Sequence, residues 1–202
     1  MGFKKNQIIR IFVFVVLVCL FYKYVYDGTE YMRSSIDNRD YQVRSGFDKQ
    51  QRADLLAFIN GKLEMIVNNL RKEKDPNDAI KRLIKNWDSG ITIKEIGNLE
   101  NDAAYVINKK NMSFCLQNSK NVNLPELNLI TYVGIHELAH IMSEEIGHGK
   151  EFVKNFEFLL QYSKEIDYYD PILKQVLPLF ISLDKLPTSD NYCGVSLANS
   201  IS

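Results

Sequence analysis

The chain has 202 residues, 46% apolar and 25% charged, with 25 basic residues balanced by 25 acidic ones. That composition excludes a disordered chain, and the lack of a basic excess argues against a nucleic-acid partner. The length suits one globular domain plus a small appendage, with a core that needs no disulfide staples.

In chain order, the first 26 residues stand apart. Residues 8–26, IIRIFVFVVLVCLFYKYVY, are broken only by Arg10 and Lys23. As a helix they would span about 28 Å, close to the hydrocarbon thickness of a bilayer. Arg10 and Lys23 lie where long side chains can snorkel, and Tyr22, Tyr24 and Tyr26 would form an interfacial belt. Residues 1–26 therefore read as a short tip and a single-pass transmembrane anchor. A cleaved signal peptide is the alternative, with Lys4, Lys5 and Arg10 as its basic region, but no A-x-A-like cleavage pattern follows it. The basic residues before the span favour the N-terminus in the cytosol and the rest on a lumenal or exterior side of the membrane. Asn111-Met112-Ser113 is a glycosylation acceptor pattern compatible with that side. Cys115 and Cys193 could pair if they meet in space, or remain two buried thiols.

Residues 27–46 are polar and unperiodic and read as a stalk, leaving 47–202 as the globular domain. Leu55, Leu56, Ile59, Leu63, Ile66, Val67 and Leu70 recur at the helical period after Asp48, a candidate cap. Lys74-Asp75-Pro76 ends that helix and opens another over about 77–87. The short runs 91–96, 103–108 and 113–117 predict a small, largely antiparallel sheet. Asn123 as N-cap, Glu126 three positions on, Pro125 in the first turn and Gly147 as a stop predict a helix over 124–146. A further helix follows over 150–164, and the tail from 167 on is irregular.

The helix over 124–146 carries the chemistry. His136 and His140 are four apart, hence on one face about 5–6 Å apart at Cβ, and both imidazoles can reach one zinc ion. Glu137 stands beside the metal and can take a proton from zinc-activated water, then deliver it to a leaving amine. This is the H-E-x-x-H pattern of zinc peptidases, on the helix it requires. A catalytic zinc needs a third protein ligand and an open fourth position. His148 follows His140 after seven residues, and all three histidines of the chain fall within 136–148. The rival third ligands are the downstream carboxylates Glu157 and Glu165. A bland reading makes His136 and His140 a polar helical stripe and His148 a loop residue, while Glu144 and Glu145 suit the solvated helix end.

HELAH, seven residues and then HGKEFVKNF resembles the active-site region of the WLM and SprT-like metallopeptidases. More loosely, YQVRSGFDKQQRADLL and NYCGVSLANS resemble WLM-like proteins encoded by large DNA viruses. The resemblance implies one Zn2+ ion on His136, His140 and His148, acid/base work by Glu137, and a protein or peptide substrate. It also implies an α+β fold: a compact zincin-like domain with a small antiparallel sheet and an active-site helix, here preceded by the transmembrane helix. An edge strand beside that helix would pair with an extended peptide, and 113–117 is the candidate. Proteolysis of DNA-crosslinked proteins, associated with soluble relatives, does not carry over to an uncharged, anchored chain. Tyr192, Tyr168 and Tyr169 are candidates for stabilising a tetrahedral intermediate, or simply packing tyrosines. The expected function is thus a membrane-anchored zinc endopeptidase. The alternative is a structural or assembly membrane protein that uses an inactive zincin-like domain as a binding module.

Overall fold

The apolar N-terminal segment folds as α1 (Lys5–Asp27) in a computed structural model of the chain, which describes residues 5–97, 103–117, 124–170, 175–179, 191–193 and 195–196. The side chains of α1 from 8 to 22 are exposed; those of Lys23, Tyr24 and Tyr26 lie outside the described residues. Among the described residues no helix is long and apolar enough to cross a membrane. The unbroken apolar run, 11–22, gives about 18 Å of helix against a hydrocarbon core of about 30 Å, and Arg10 borders it directly. The expected anchor, and the membrane location and orientation built on it, are corrected accordingly.

Residues 27–46, expected as a stalk, carry the antiparallel hairpin of β1 (Thr29–Arg33) and β2 (Asp40–Arg44). Tyr41 and Val43 alternate inward into the core while Asp40 points outward, the period-two pattern of a half-buried strand. Tertiary hydrogen bonds fasten the hairpin. Asp54 accepts from the Ser34 and Ser35 hydroxyls and the Ser35 backbone N–H, and the Arg44 guanidinium donates to the carbonyls of Ile96, Gly97 and Gln117.

α2 (Lys49–Leu70) is buried almost all round, with every residue from 55 to 59 in the core. Its Asp48 makes no side-chain cap and instead pairs with Arg52 at 2.9 Å. α3 (Asp78–Asp88) is capped by Asn77, whose side chain accepts from the Ile80 N–H. β3 (Thr92–Glu95), β4 (Ala104–Ile107) and β5 (Asn111–Phe114) form a sheet in the order β3-β5-β4. The expected antiparallel sheet is therefore a mixed one. β4 and β5 are an antiparallel hairpin turned through Asn108 and Lys109 at positive φ, but β3 lies parallel on the other side of β5. Spacing between runs shows their existence, not their partners, and a connection crossing over β5 is invisible to it.

α4 (Leu127–Met142) and α5 (Lys150–Lys164) complete the core, and 13 of the 16 residues of α4 are buried. Gly134 is where α2 comes close: a Cβ there would lie 3.2 Å from Ile59 Cγ2 and 3.4 Å from Leu63 Cδ2. The helix is shorter than predicted at both ends. Asn123 lies outside the described residues, and Glu126 occupies the N-cap position without a side-chain cap bond. The tail is not irregular either. β6 (Asp167–Asp170) pairs with β7 (Gln175–Pro178), and β8 (Asn191–Tyr192) pairs with β9 (Val195–Ser196), both antiparallel. Lys62, buried on α2, donates to the Leu179 carbonyl at 2.8 Å and holds β7 to the core. Cys115 and Cys193 form a disulfide, fastening β8 to the end of β5. Among the described residues the result is an α+β architecture of five helices and small sheets.

Candidate metal centre

The site begins with how α4 ends. Predicted to run to 146, the helix stops at Met142 because three distant side chains take its last carbonyls. Arg82 donates to Met142 O at 2.7 Å and Asn86 to Ile141 O at 3.1 Å, while Lys109 reaches both His140 O and Ser143 O. Such bonds satisfy carbonyls left orphaned at a helix C-terminus, and the cations also suit its negative dipole end. Ser143 then turns extended, and residues 143–149 double back through Gly147 at φ +86°. Glu151, in the first turn of α5, accepts from the backbone N–H groups of Glu144 and Glu145 and is itself paired with Arg82. This staked loop delivers His148 over α4.

The three imidazoles converge there. His136, His140 and His148 each offer a ring nitrogen, and these atoms all lie within 4.8 Å of one another, so the cluster could hold a metal ion. His136 Nε2 and His148 Nε2 are 3.1 Å apart. Tetrahedral zinc with bonds of about 2.1 Å would place its nitrogen ligands about 3.4 Å apart, so the set fits that ion with small adjustments. Phe152 packs against all three rings, with centroid separations of 4.8, 4.3 and 4.7 Å. Glu157 and Glu165, the rival third ligands, are exposed and stand outside the cluster. Glu144 and Glu145 are exposed as well.

Burial sets the protonation states. It pushes His136 down to about 3 and His140 to about 4, with the neighbouring histidines adding repulsion in each case. Both rings are therefore neutral at pH 7, with lone pairs available to a metal. Burial also raises Glu137 to about 8, and its Oε2 has no hydrogen-bond partner among the described residues. The His136 Nδ1 atom is likewise buried and unpartnered.

Several expectations shift. Residues 113–117 cannot offer a free edge, because β5 is the central strand. The edge strand packed along α4 is β4. Tyr168 stacks edge-on against Phe58 at 5.6 Å, and the side chain of Tyr169 lies outside the described residues. Tyr192 is fully enclosed, with its hydroxyl unpartnered among the described residues. Of the supporting residues, Lys109 and Arg82 carry no motif, and only Phe152, the aromatic in HGKEF, gives a local signal.

No family model matches the chain, and no solved structure matches it. Three viral proteins, each described as uncharacterized, are similar to it. One from Acanthamoeba polyphaga mimivirus is 28% identical over 174 residues, spanning 82% of this chain and 87% of its own length. One from Invertebrate iridescent virus 6 is 32% identical over 42% of this chain and 50% of its own length. The third, from Invertebrate iridescent virus 3, is 29% identical over 48% of this chain and 53% of its own length. The chain is thus similar to proteins of three viruses, the mimivirus protein along most of both lengths.

Proposed function

We propose that this chain is a zinc-dependent peptidase in which His136, His140 and His148 hold the ion and Glu137 is the general base. The observation that carries the reading is the convergence of three imidazole nitrogens within 4.8 Å, two of them from α4, the helix that also carries the buried Glu137. A structural ion pair or packing cluster has no need of an acceptor left without a donor, whereas a base awaiting a water molecule does.

A zinc ion held there would supply a Lewis acid that acidifies water, polarises a carbonyl and, as a neighbouring dication, favours the ionised form of Glu137. The chain's own contribution is positional. Burial keeps His136 and His140 neutral and unprotonated. Phe152 fixes the planes of all three rings. Glu137 takes the proton of the attacking water and delivers it to the leaving amine, a contribution of about 10²–10⁴ in rate. Among the described residues β4 is an edge strand packed along α4, the place where an extended peptide would add as a further strand.

The test is direct. The full chain is expressed, its bound metal measured, and cleavage of a peptide library compared with that by Glu137→Gln. One zinc per chain with Glu137-dependent cleavage supports the reading. Zinc without such cleavage reduces the domain to a metal-holding binding module, and no zinc at all removes both.

A further inference from the structure

β2 and β3 pack close to each other, yet they belong to separate sheets and are not paired as neighbouring strands. Their far ends are tied together. The Arg44 backbone N–H donates to the Glu95 carboxylate at 2.7 Å, and the Arg44 guanidinium donates to the carbonyls of Ile96 and Gly97. At the near ends, around Tyr41 and Ile93, a cavity of about 240 Å³ opens instead. Tyr41, Ile91, Ile93 and Trp87 give it apolar and aromatic walls, and Arg39 and Glu64 supply its charges. The volume suits one long side chain, because pockets for drug-sized ligands run from about 300 Å³ upward.

The cavity is separate from the metal centre. Glu64 follows Leu63 by one position, about 100° round α2 from the face that meets Gly134 of α4.

Charge selects the class of occupant. Asp37, Asp40 and Glu64 stand here against Arg33 and Arg39, three carboxylates to two guanidiniums, which leaves one negative charge in excess. Arg33 is engaged with Asp40 at 3.1 Å. Arg39 gives both terminal nitrogens to a single oxygen, Glu64 Oε2, at 3.4 and 3.3 Å, while 54% of its side chain stays exposed. Two long bonds to one oxygen make a weaker pairing than a side-by-side fork, and an exposed pair of this kind is readily exchanged. Glu64 thus already accepts a guanidinium at the cavity, in an arrangement that a better-placed one would improve. Trp87 and Tyr41 offer ring faces for a planar cation, and Ile91 and Ile93 offer a surface for its methylene stem.

We propose that this cavity binds an arginine side chain of a partner polypeptide, its guanidinium replacing that of Arg39 on Glu64 and its stem lying between Trp87, Tyr41 and the β3 isoleucines. The site stands apart from the peptidase reading and needs neither a metal nor Glu137.

The full chain carries its own reporter, since Trp87 is its single tryptophan. Nα-acetylargininamide, titrated to about 50 mM at constant ionic strength, is expected to change Trp87 fluorescence saturably, with a Kd on the order of 1 mM. Nα-acetylcitrullinamide has the same shape without the charge and is expected to bind at least about tenfold more weakly. Glu64→Gln loses the arginine response while melting close to the wild-type temperature, because the pair it breaks is exposed. Arg39→Ala removes the internal competitor and tightens binding by up to about fivefold. Loss of binding in Arg39→Ala would instead reveal an anion site and overturn the proposal. So would a response that the citrulline compound matches, one that survives Glu64→Gln, or no saturable response in wild type and Arg39→Ala alike. Free arginine binding more tightly than the blocked amide would make this an amino-acid site, and the polypeptide partner would fall.

Discussion

Two glutamates are buried among the described residues, and they are treated in opposite ways. Glu95, on β3, is 1% exposed and ringed by donors: the Arg44 backbone N–H, the Arg52 guanidinium and, at 3.8 Å, the Arg44 guanidinium. Glu137, on α4, is 3% exposed, and its Oε2 has no donor among the described residues. Burial raises both carboxyls, but the donors around Glu95 oppose the rise, whereas no such group opposes it at Glu137. Equal burial thus has two meanings. A satisfied carboxylate ties elements together, here β2, α2 and β3. An unsatisfied one stores electrostatic energy that a metal or a water can release.

The largest effect that would break this contrast is on chemistry. Glu137→Gln is expected to lower kcat for peptide cleavage by about 10²–10⁴ while zinc content is retained. Glu95→Gln should leave zinc binding alone and strike stability. Removing one partner of a buried ion pair costs about 3–5 kcal/mol, which for a chain of this size is a melting-temperature drop of about 6–20 °C. If Glu95→Gln abolished zinc binding in folded protein, the division of labour would be wrong.

The pH dependence of metal-free protein sharpens the contrast at smaller amplitude. The Glu137 carboxyl moves from 4.5 up to about 8 on folding. The folded state therefore binds the extra proton in that interval, and the stability this provides is present below pH 4.5 and lost as pH rises through 8. His136 and His140 move the other way, from 6.5 to about 3 and about 4. Their contribution is present above pH 6.5 and lost as pH falls through those values. Calorimetry should show wild-type melting temperature declining as pH rises from 7 towards 8, with Glu137→Gln showing no decline over the same interval; a parallel decline in both would contradict the assignment. The smallest effect concerns the helix end. Lys109→Met frees the carbonyls of His140 and Ser143 and should cost about 1–3 kcal/mol in thermal unfolding, with a weaker zinc affinity as His140 loosens.

What was legible in the sequence followed from range. The i, i+4 relation of His136 and His140 is local, and the confinement of all histidine to 136–148 is a compositional fact, so the three imidazoles that converge were the three that could be named. The end of α4 was not legible, because Arg82, Asn86 and Lys109 are placed there by other elements. Nor was the β1–β2 hairpin, where Ser34, Ser35 and Arg44 serve Asp54 and the carbonyls near 96 and 117. The parallel pairing of β3 with β5 depends on a crossover, which spacing does not encode. In α1, apolar composition alone suggested a span that the twelve-residue run between Arg10 and Lys23 is too short to make.

The disulfide between Cys115 and Cys193 has a consequence in topology. It closes the chain into a ring that contains all of α4, the His148 loop and α5. A single backbone cut within that ring, for instance by a protease acting on the exposed loop at Glu144-Glu145, opens the ring without dividing the molecule. The nicked protein would migrate as one species without reductant and as two fragments with it. The two histidines on either side of such a cut, His140 and His148, would then be held on one covalent body by sulfur alone.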